Sequence, residues 1–262
     1  MITTWSKGPA DDFMPEQTLV KTLGVVRKHP WWTARAKLAL KVLKTHQILP
    51  PAKIADVGCG WGINLDHLEK CGYQAQGLDI SRQILELIDH PHRQIYECDL
   101  NQPLPQTALG AYDAALLLDV IEHLDDDQGA IRQVSSLVRS GGLIVVSVPA
   151  LPELFTEFDA IQGHRKRYVP ATLQAAFENT GFALQKVFWW GSWMVPVLKR
   201  MRSKQDAAPQ PKEYADYLRL PTWPAPVLMR LLYRWEEHRA LKGLLTTGTS
   251  LFAVGVRQTK SF

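Results

Sequence analysis

The sequence contains few cysteines and no long apolar run. Its 262 residues include three cysteines, Cys59, Cys71 and Cys98, and no Cys-x-x-Cys pair, so we expect reduced thiols, with neither a disulfide framework nor a zinc site. No stretch reaches the roughly 18 uninterrupted apolar residues of a membrane span, and residues 1–7 lack the apolar core of a signal peptide. These absences predict a cytoplasmic globular protein.

Acidic residues are scarce outside the middle of the chain. Residues 51–160 carry 6 Lys and Arg against 17 Asp and Glu, whereas the two flanks together carry 24 against 9. An acidic centre suits a cationic cofactor, and basic flanks suit an anionic substrate or surface. Solvated basic faces explain the flanks equally well.

The order of predicted elements indicates an α/β fold. The first 30 residues show no clean period, so they predict an irregular arm, and a helix follows from Thr33 to Pro50. Strand and helix patterns then alternate, with a helix over about residues 127–138 that Gly141-Gly142 is expected to end. The apolar run Leu143–Val148 predicts a strand buried on both faces.

Such alternation predicts a Rossmann-like, doubly wound and mostly parallel sheet with right-handed crossovers. We expect seven strands, an N-terminal helical arm, and a C-terminal helical insertion before the last strand. The predicted division of the chain is an arm and helix over residues 1–50, a core over 51–190, an aromatic and basic insertion over 191–249, and the last strand and tail over 250–262.

A glycine cluster follows the first core strand. The strand Ile54–Val57 leads into Gly58-Cys59-Gly60-Trp61-Gly62 and then a helix, an arrangement that lets the backbone approach a ligand beside free N–H groups. A nicotinamide-binding loop would space its glycines G-x-G-x-x-G and hold a pyrophosphate, which an adjacent carboxylate would repel. Here the spacing is G-x-G-x-G and Asp56 directly precedes it. The pattern favours a cofactor without phosphates and with a positively charged end.

Carboxylates follow the next strands in turn. Asp79 ends the second strand, where it could accept both hydroxyls of a ribose. Asp99 ends the third, where it could accept an adenine amino group, and Asp119 ends the fourth. Because charges at a buried strand end must be solvated or paired, acids at four successive strand ends indicate a ligand site.

These motifs resemble those of the class I S-adenosylmethionine-dependent methyltransferases. The glycine loop with Asp56 is similar to their first motif, Asp79 to their ribose-binding acid, and Asp99-Leu100 to their adenine-binding pair; Asp119–Leu124 is similar to their fourth motif. The resemblance spans about residues 50–190 and implies S-adenosyl-L-methionine as the cofactor. The cofactor-binding residues it implies are Asp56, Gly58, Cys59, Gly60, Gly62, Asp79, Ile80, Asp99, Leu100, Asp119 and Val120.

Two histidines are candidates for removing a proton from a hydroxyl acceptor, because the unperturbed pKa of histidine lies near working pH. His123 follows the fourth strand, and His164 lies in an insertion after the fifth. A hydrogen bond to Asp159 would give His164 a structural role instead, and His123 could shape the floor of the cofactor site.

Segments on both sides of the core resemble a bacterial branch of these methyltransferases that is linked to surface polysaccharide, glycolipid or small-metabolite pathways. Gly163-His164 with Arg167-Tyr168 carries one part of the resemblance, and His29–Arg35 is similar to the arm that precedes the domain in that branch. The resemblance implies substrate contacts from Arg167, Tyr168 and Trp32. A solvated basic turn is the alternative for Arg167.

The fourth motif is also similar to the magnesium site of ubiquinone-pathway O-methyltransferases, through Asp119, Glu122 and His123. An Asp stands where that site has its first Glu, and we predict no metal.

The leading hypothesis is O-methylation of a small-molecule, saccharide or lipid-linked acceptor. N- or C-methylation would need no strong base, and an inactive methyltransferase fold acting as an assembly or binding protein is the non-enzyme alternative. No nucleic-acid partner is expected, because no Asn-Pro-Pro-Tyr motif follows the fourth strand.

Residues 187–204 join tryptophans to a basic cluster, which is the composition of an interfacial anchor. We expect peripheral contact with the inner membrane face there. A strand ending in the aromatic wall of an acceptor pocket explains the same pattern.

Overall fold

The computed structural model describes residues 2–6, 16–88, 90–205 and 220–259. Within them, eight strands form one mixed sheet. The strands are β1 (Ile2–Thr4), β2 (Lys53–Val57), β3 (Gln74–Asp79), β4 (Gln94–Glu97), β5 (Tyr112–Leu118), β6 (Val138–Pro149), β7 (Phe182–Trp190) and β8 (Ser250–Arg257).

The strand order is β1-β4-β3-β2-β5-β6-β8-β7. Every pairing is parallel except those of β8, which runs antiparallel to both β6 and β7. The predicted doubly wound and mostly parallel architecture is therefore confirmed. Parallel strands β2 to β6 end at the same edge of the sheet, where ligands bind in folds of this kind.

Helices cover both faces of the sheet. In the described ranges they are α1 (Glu16–Val26), α2 (Pro30–Thr45), α3 (Ile63–Lys70), α4 (Arg82–Ile88), α5 (Asp127–Leu137), α6 (Glu157–Ile161), α7 (Pro170–Ala175), α8 (Met194–Gln205) and α9 (Ala225–Leu241). Helices α8 and α9 form the predicted insertion before the last strand. None of the helices that the structure describes is long and apolar enough to span a bilayer.

Alternate residues of the central strands face two separate cores. On one face Ala115 and Leu117 of β5 pack with α5 and α7, and on the other Leu116 and Leu118 pack with α2 and α9. Side chains alternate across a strand, so a central strand covered on both faces must be apolar throughout. This is why the run in β6 is continuous.

The expected irregular arm and the expected strand count are both wrong. Ile2–Thr4 pairs in parallel with β4 as an eighth strand, and residues 16–26 form α1. Trp5 then stacks on Tyr96, with ring centroids 4.1 Å apart. A three-residue strand is too short to show an alternating pattern, so tertiary pairing decides its structure.

Gly141-Gly142 does not end a helix. Helix α5 already ends at Leu137, and β6 begins at Val138. The pairing of β6 with β5 shifts register between Tyr112 and Ala114, which leaves the glycines in an irregular stretch of the strand. A Cβ on Gly142 would lie 2.6 Å from the carbonyl oxygen of Asp113, so close packing requires glycine there.

Helix α2 brings the N-terminal segment to the site edge of the sheet. Its first position is proline, which suits a helix start, and His29 Nδ1 accepts a hydrogen bond of 3.2 Å from the backbone N–H of Trp31. The buried side of the helix presents Leu38, Val42 and Leu43 to the sheet. This anchoring fixes the residues of its first turns above the ends of the strands.

Candidate active site

A cavity of about 440 Å³ lies at the carboxyl ends of β2 to β6. Its volume is in the range of small-molecule sites. Most of the predicted site residues line it, namely Trp32, Gly58, Cys59, Gly60, Asp79, Ile80, Asp99, Leu100, Asp119, Val120, His123, His164 and Arg167. Asp56, Gly62 and Tyr168 are not among its lining residues.

The glycine loop turns through three residues with positive φ, at +71°, +45° and +71° for Gly58, Gly60 and Gly62. A Cβ on Gly58 would clash with the Val120 side chain, whereas a Cβ on Gly60 would meet no protein atom within 4 Å. Gly62 is the N-cap of α3, and a Cβ added to it would face Arg93 and Ile88. Gly60 is therefore the loop residue whose missing side chain leaves room for a ligand.

Asp79 holds this loop in place. Its Oδ2 accepts a 2.7 Å hydrogen bond from the N–H of Gly60, and its Oδ1 accepts one of 3.0 Å from the N–H of Ser81. Burial raises the pKa of Asp79 above its ordinary value. The carboxylate thus lies on the cavity wall and also sets the position of the glycine backbone.

Asp56 lies beneath the loop. Its side chain is buried and accepts a 3.0 Å hydrogen bond from Asn64 Nδ2, while its second oxygen has no hydrogen-bond partner among the described residues. Burial raises the pKa of Asp56 to about 7. The expected direct cofactor contact is not what the structure presents, because the carboxyl group points to Asn64.

Replacing Asp56 with asparagine is expected to stabilise the fold at alkaline pH. The folded-state pKa of about 7 lies above the ordinary value of 3.8. The bound proton therefore favours the folded state, and that contribution is lost as pH rises through about 7. Asparagine stays neutral, so the variant should exceed wild type in free energy of unfolding by on the order of 2–4 kcal/mol at about pH 8. Urea unfolding at about pH 5 and pH 8 measures the difference.

Asp113→Asn is a control of opposite sign. Burial raises the pKa of Asp113, but the hydrogen bond from Arg139 outweighs burial and the pKa is lowered overall. The ionised carboxylate therefore stabilises the folded state, and Asp113→Asn should lose this stabilisation at alkaline pH. If Asp56→Asn had the same pH dependence as wild type, the Asp56 carboxyl would not be held protonated by burial.

Asp99 leaves one acceptor unused. Its Oδ1 accepts hydrogen bonds from the backbone N–H and the side-chain amide of Asn101, at 2.9 and 3.1 Å. Its Oδ2 is buried and has no partner within the described ranges. A buried acceptor on the cavity wall fits the amino donor of an adenine, and the open space at Gly60 fits the adjoining part of a nucleoside.

Asp119 is held by two side chains. Arg35 of α2 forms an ion pair with its Oδ2, and Ser147 Oγ donates a 3.0 Å hydrogen bond to its Oδ1. The residue has φ of +59°, a conformation that costs energy outside glycine and marks functional positions. Arg35 was not among the predicted site residues, because a helix pattern does not reveal which strand end its side chain reaches.

A second charged cluster lies on the far wall. Asp159 is fully buried and accepts hydrogen bonds from Arg167, at 2.7 Å, and from His164 Nδ1, at 3.1 Å. Although burial alone would raise it, His164 and Arg167 lower the pKa of Asp159 to about 2. An ionised carboxylate only accepts hydrogen bonds, so Nδ1 of His164 is the donor in this pair, and Nε2 is the ring nitrogen that Asp159 does not engage.

Two further titratable groups lie beside the His164 ring. Glu122 Oε1 lies 3.9 Å from His164 Nε2 and is fully buried, and burial followed by the charge of Asp119 raises the pKa of Glu122 well above its ordinary value. His123 donates from Nδ1 to the carbonyl of Gly163 at 3.2 Å, and burial lowers its pKa to about 3. Near neutral pH, His123 is therefore a neutral imidazole, and burial makes Glu122 harder to ionise than an ordinary carboxyl group.

Glu122, His123 and His164 also offer ligand atoms that lie within 4.8 Å of one another. Imidazole and carboxylate are donors that divalent transition metals prefer. The sequence suggested Asp119 rather than His164 as the third member of such a set. Arg35 and Ser147 occupy both oxygens of Asp119, so the structure does not favour that version.

Aromatic side chains form the outer wall of the cavity. Trp32, for which a substrate contact is predicted, lines it together with Trp31, Trp61 and Phe158, and α8 adds Met194 and Leu198. The guanidinium of Arg167 is engaged by Asp159 and the carbonyl of Ala150. The expected substrate contact of Tyr168 is not supported, because its hydroxyl donates to Asp127 at 2.8 Å.

Comparison with known proteins agrees with this geometry. The sequence model of a methyltransferase domain family matches residues 31–187. The ubiquinone biosynthesis O-methyltransferase of Chromobacterium violaceum is 27% identical over 133 residues, which are 45% of this chain and 57% of that protein. Its counterpart from Ralstonia nicotianae is 24% identical, covering 57% of this chain and 63% of that protein. The chain thus spans less than two thirds of these relatives.

Two solved structures share the fold. The [4+2]-cyclase SpnF has a TM-score of 0.60 at 17% identity and covers 98% of this chain and 99% of its own. The 1,6-didemethyltoxoflavin-N1-methyltransferase of Burkholderia thailandensis has a TM-score of 0.51 at 14% identity, covering 87% of this chain and 79% of its own. Because the family match spans more than half of the sequence, the chain belongs to the methyltransferase domain family, as a class I methyltransferase whose cofactor is S-adenosyl-L-methionine.

Proposed function

We propose that this enzyme methylates a hydroxyl group of a small, apolar, ring-containing acceptor. The observation that carries the proposal is the Asp159–His164 pair, in which the carboxylate engages Nδ1 of an imidazole that lines the cavity and leaves Nε2 as the ring nitrogen available to act as a base. A hydroxyl acceptor needs a base, whereas an amine that is already neutral does not.

The cofactor, when bound, would supply its sulfonium methyl group, with a neutral thioether as the leaving group when the sulfur–methyl bond breaks. His164 Nε2 would take the hydroxyl proton as the acceptor oxygen bonds to the methyl carbon, and the Asp159 carboxylate would stabilise the resulting imidazolium. The aromatic wall holds the ring of the acceptor in line for transfer, since positioning accounts for much of the acceleration in such reactions.

The wall also limits the class of acceptor. A saccharide needs many polar partners, but the arginines at the cavity, Arg35 and Arg167, are already engaged by Asp119 and Asp159. Trp31, Trp61 and Phe158 offer flat apolar surfaces instead, which suit a phenol, with or without a lipid chain. The similarity to O-methyltransferases of ubiquinone biosynthesis supports the same class.

A panel assay with the methyl-labelled cofactor tests this proposal. Phenols with and without a prenyl chain, simple saccharides, and amines are offered separately, and label transfer is counted. We expect transfer to phenols. Transfer to amines alone would favour N-methylation, and tight cofactor binding without turnover on any acceptor would favour a non-catalytic role.

Asp79→Ala is expected to weaken cofactor binding about 10- to 150-fold, because a charge-assisted hydrogen bond contributes roughly 1.5–3 kcal/mol. Titration calorimetry with the cofactor measures the effect. Asp113→Ala is the control, because it removes a carboxylate that is bonded to a backbone N–H but lies outside the cavity lining. Equal cofactor affinity in the two variants would show that Asp79 does not bind the ribose.

A metal-assisted reaction is the second candidate, favoured by the convergence of Glu122, His123 and His164. Dialysis against a chelator separates the two mechanisms. The base mechanism predicts unchanged turnover, whereas loss of turnover that zinc or manganese restores would assign deprotonation to a bound cation.

A further inference from the structure

None of the three tryptophans expected to anchor the chain to a membrane is exposed, and Trp189 and Trp193 are partly buried. Trp190 of β7 is completely buried, and Trp193 packs edge-on against Tyr233, with ring centroids 5.0 Å apart. Met194 and Leu198 of α8 face the cavity. Residues 187–200 therefore do not present the expected aromatic surface.

A different helix exposes a continuous apolar stripe. Along α9 and the turn before it, Trp223, Val227, Leu231 and Trp235 recur every fourth residue, and Leu228 adjoins them. Trp223 is 84% exposed, and Leu231 and Trp235 are each 59% exposed. Residues four apart share one face of a helix, so these side chains form one surface. A continuous exposed apolar surface of this kind marks an interaction site.

Basic residues flank the stripe. Arg230, Arg234, Arg239 and Lys242 are exposed, and the guanidinium of Arg239 lies 5.1 Å from the ring centre of Trp235. None of the four has an ion pair among the described residues.

The acids of α9 point the other way. Glu236 is buried and accepts hydrogen bonds from the backbone N–H groups of Gly191 and Ser192. Glu237 pairs with Lys41 of α2. The outward face of the helix therefore combines an apolar stripe with positive charge and carries no exposed carboxylate of its own.

We infer that α9 docks on an anionic lipid bilayer, with the stripe in the interface and the arginines on the headgroups. Tryptophan and leucine beside Arg and Lys make up the surface of an interfacial helix, and each cation near an anionic leaflet strengthens binding about fivefold. A second copy of the chain fits this face poorly, because twofold pairing would set arginines against arginines with no acid between them. The inference does not depend on the proposed acceptor.

The docked face lies close to the active site. Tyr233, on the inner side of α9, contacts Trp193 and donates a hydrogen bond to Met194 Sδ at 2.6 Å, and Met194 lines the cavity. A bilayer held against the outer face of α9 would thus be separated from the cavity by this helix and by the contact between Tyr233 and Met194. An acceptor that partitions into lipid would be concentrated beside its site.

Vesicle sedimentation tests the inference with the full chain. Wild type is expected to pellet with vesicles of equal parts phosphatidylcholine and phosphatidylglycerol at low salt, and to stay in the supernatant with pure phosphatidylcholine. Arg230→Glu with Arg234→Glu should lower the partition constant about 25-fold or more, since about fivefold is lost for each cation removed. Leu231→Ser with Trp235→Ser should also lower it, by loss of apolar burial.

Matched controls alter other surfaces. Lys28→Glu with Lys70→Glu makes the same change in net charge on exposed residues outside α9, and Leu87→Ser removes an apolar side chain that is 42% exposed on α4. Both should bind like wild type. Failure of wild type to pellet, or equal loss in the controls, would overturn the inference. So would sedimentation equilibrium showing a dimer that Leu231→Ser dissociates. Circular dichroism checks that each variant is folded. If the double charge reversal does not fold, Arg234→Gln removes one positive charge with a milder replacement.

Discussion

Gly60→Val is expected to abolish binding of S-adenosyl-L-methionine while leaving the protein folded. The residue lines the cavity, and a Cβ added to it meets no protein atom within 4 Å. The space that valine would fill is therefore the space kept open for a ligand. Titration calorimetry should detect no binding heat at cofactor concentrations that saturate wild type.

Backbone strain must be separated from this blocking effect. Valine at a φ of +45° is strained, at a cost of about 1–3 kcal/mol in stability. Gly110→Val is the matched control, because Gly110 has a φ of +64°, has no atom within 4 Å of an added Cβ, and lies outside the cavity lining. Both variants should lose comparable stability, and only Gly60→Val should lose the cofactor. Normal binding by Gly60→Val would place the cofactor elsewhere.

The cofactor half of the site was predictable because its residues adjoin strands along the sequence. Asp79 is the last residue of β3, and Gly58, Gly60 and Asp99 lie within three residues of the ends of β2 and β4. Parallel strands that end at one edge bring such residues together. Local pattern and topology are then sufficient. Asp56 shows where the argument fails, since its position beside the loop does not reveal that its side chain turns toward Asn64.

The acceptor half depends on contacts between distant segments. Arg35 reaches Asp119 across 84 positions of sequence, and Trp32 lies at 6.1 Å from Trp61, measured between ring centroids. Spacing within one helix or strand contains no information about such partners. The α9 stripe could not be predicted for a related reason. An apolar helix face has the same sequence pattern whether it is buried or exposed.

Fold likeness does not identify the reaction either. SpnF, a structure that aligns over nearly the whole chain, is a cyclase, so methyl transfer to oxygen has to be argued from the groups at the cavity. The group on which that argument depends most is the imidazole of His164.

His164→Ala is expected to lower kcat by about 10²- to 10⁴-fold, the usual contribution of a general base, with cofactor affinity close to wild type. Turnover of the phenol identified by the panel assay measures kcat, and titration calorimetry measures the cofactor affinity. His67→Ala is the control, because it also removes a partly buried imidazole whose Nδ1 bonds to a backbone carbonyl, but outside the cavity lining. It should keep full activity.

A structural role for His164 would also lower activity, so two further measurements are needed. Added imidazole should restore part of the turnover of His164→Ala, because the base returns to a space next to Asp159, whereas misfolding could not be rescued in this way. Asp159→Asn should fall by a similar factor, since an amide can donate to Nδ1 and thereby place the ring proton on Nε2, where it prevents base catalysis. Full activity in Asp159→Asn, or a loss in His164→Ala that imidazole leaves unchanged, would return His164 to a structural role and favour the metal-assisted reaction.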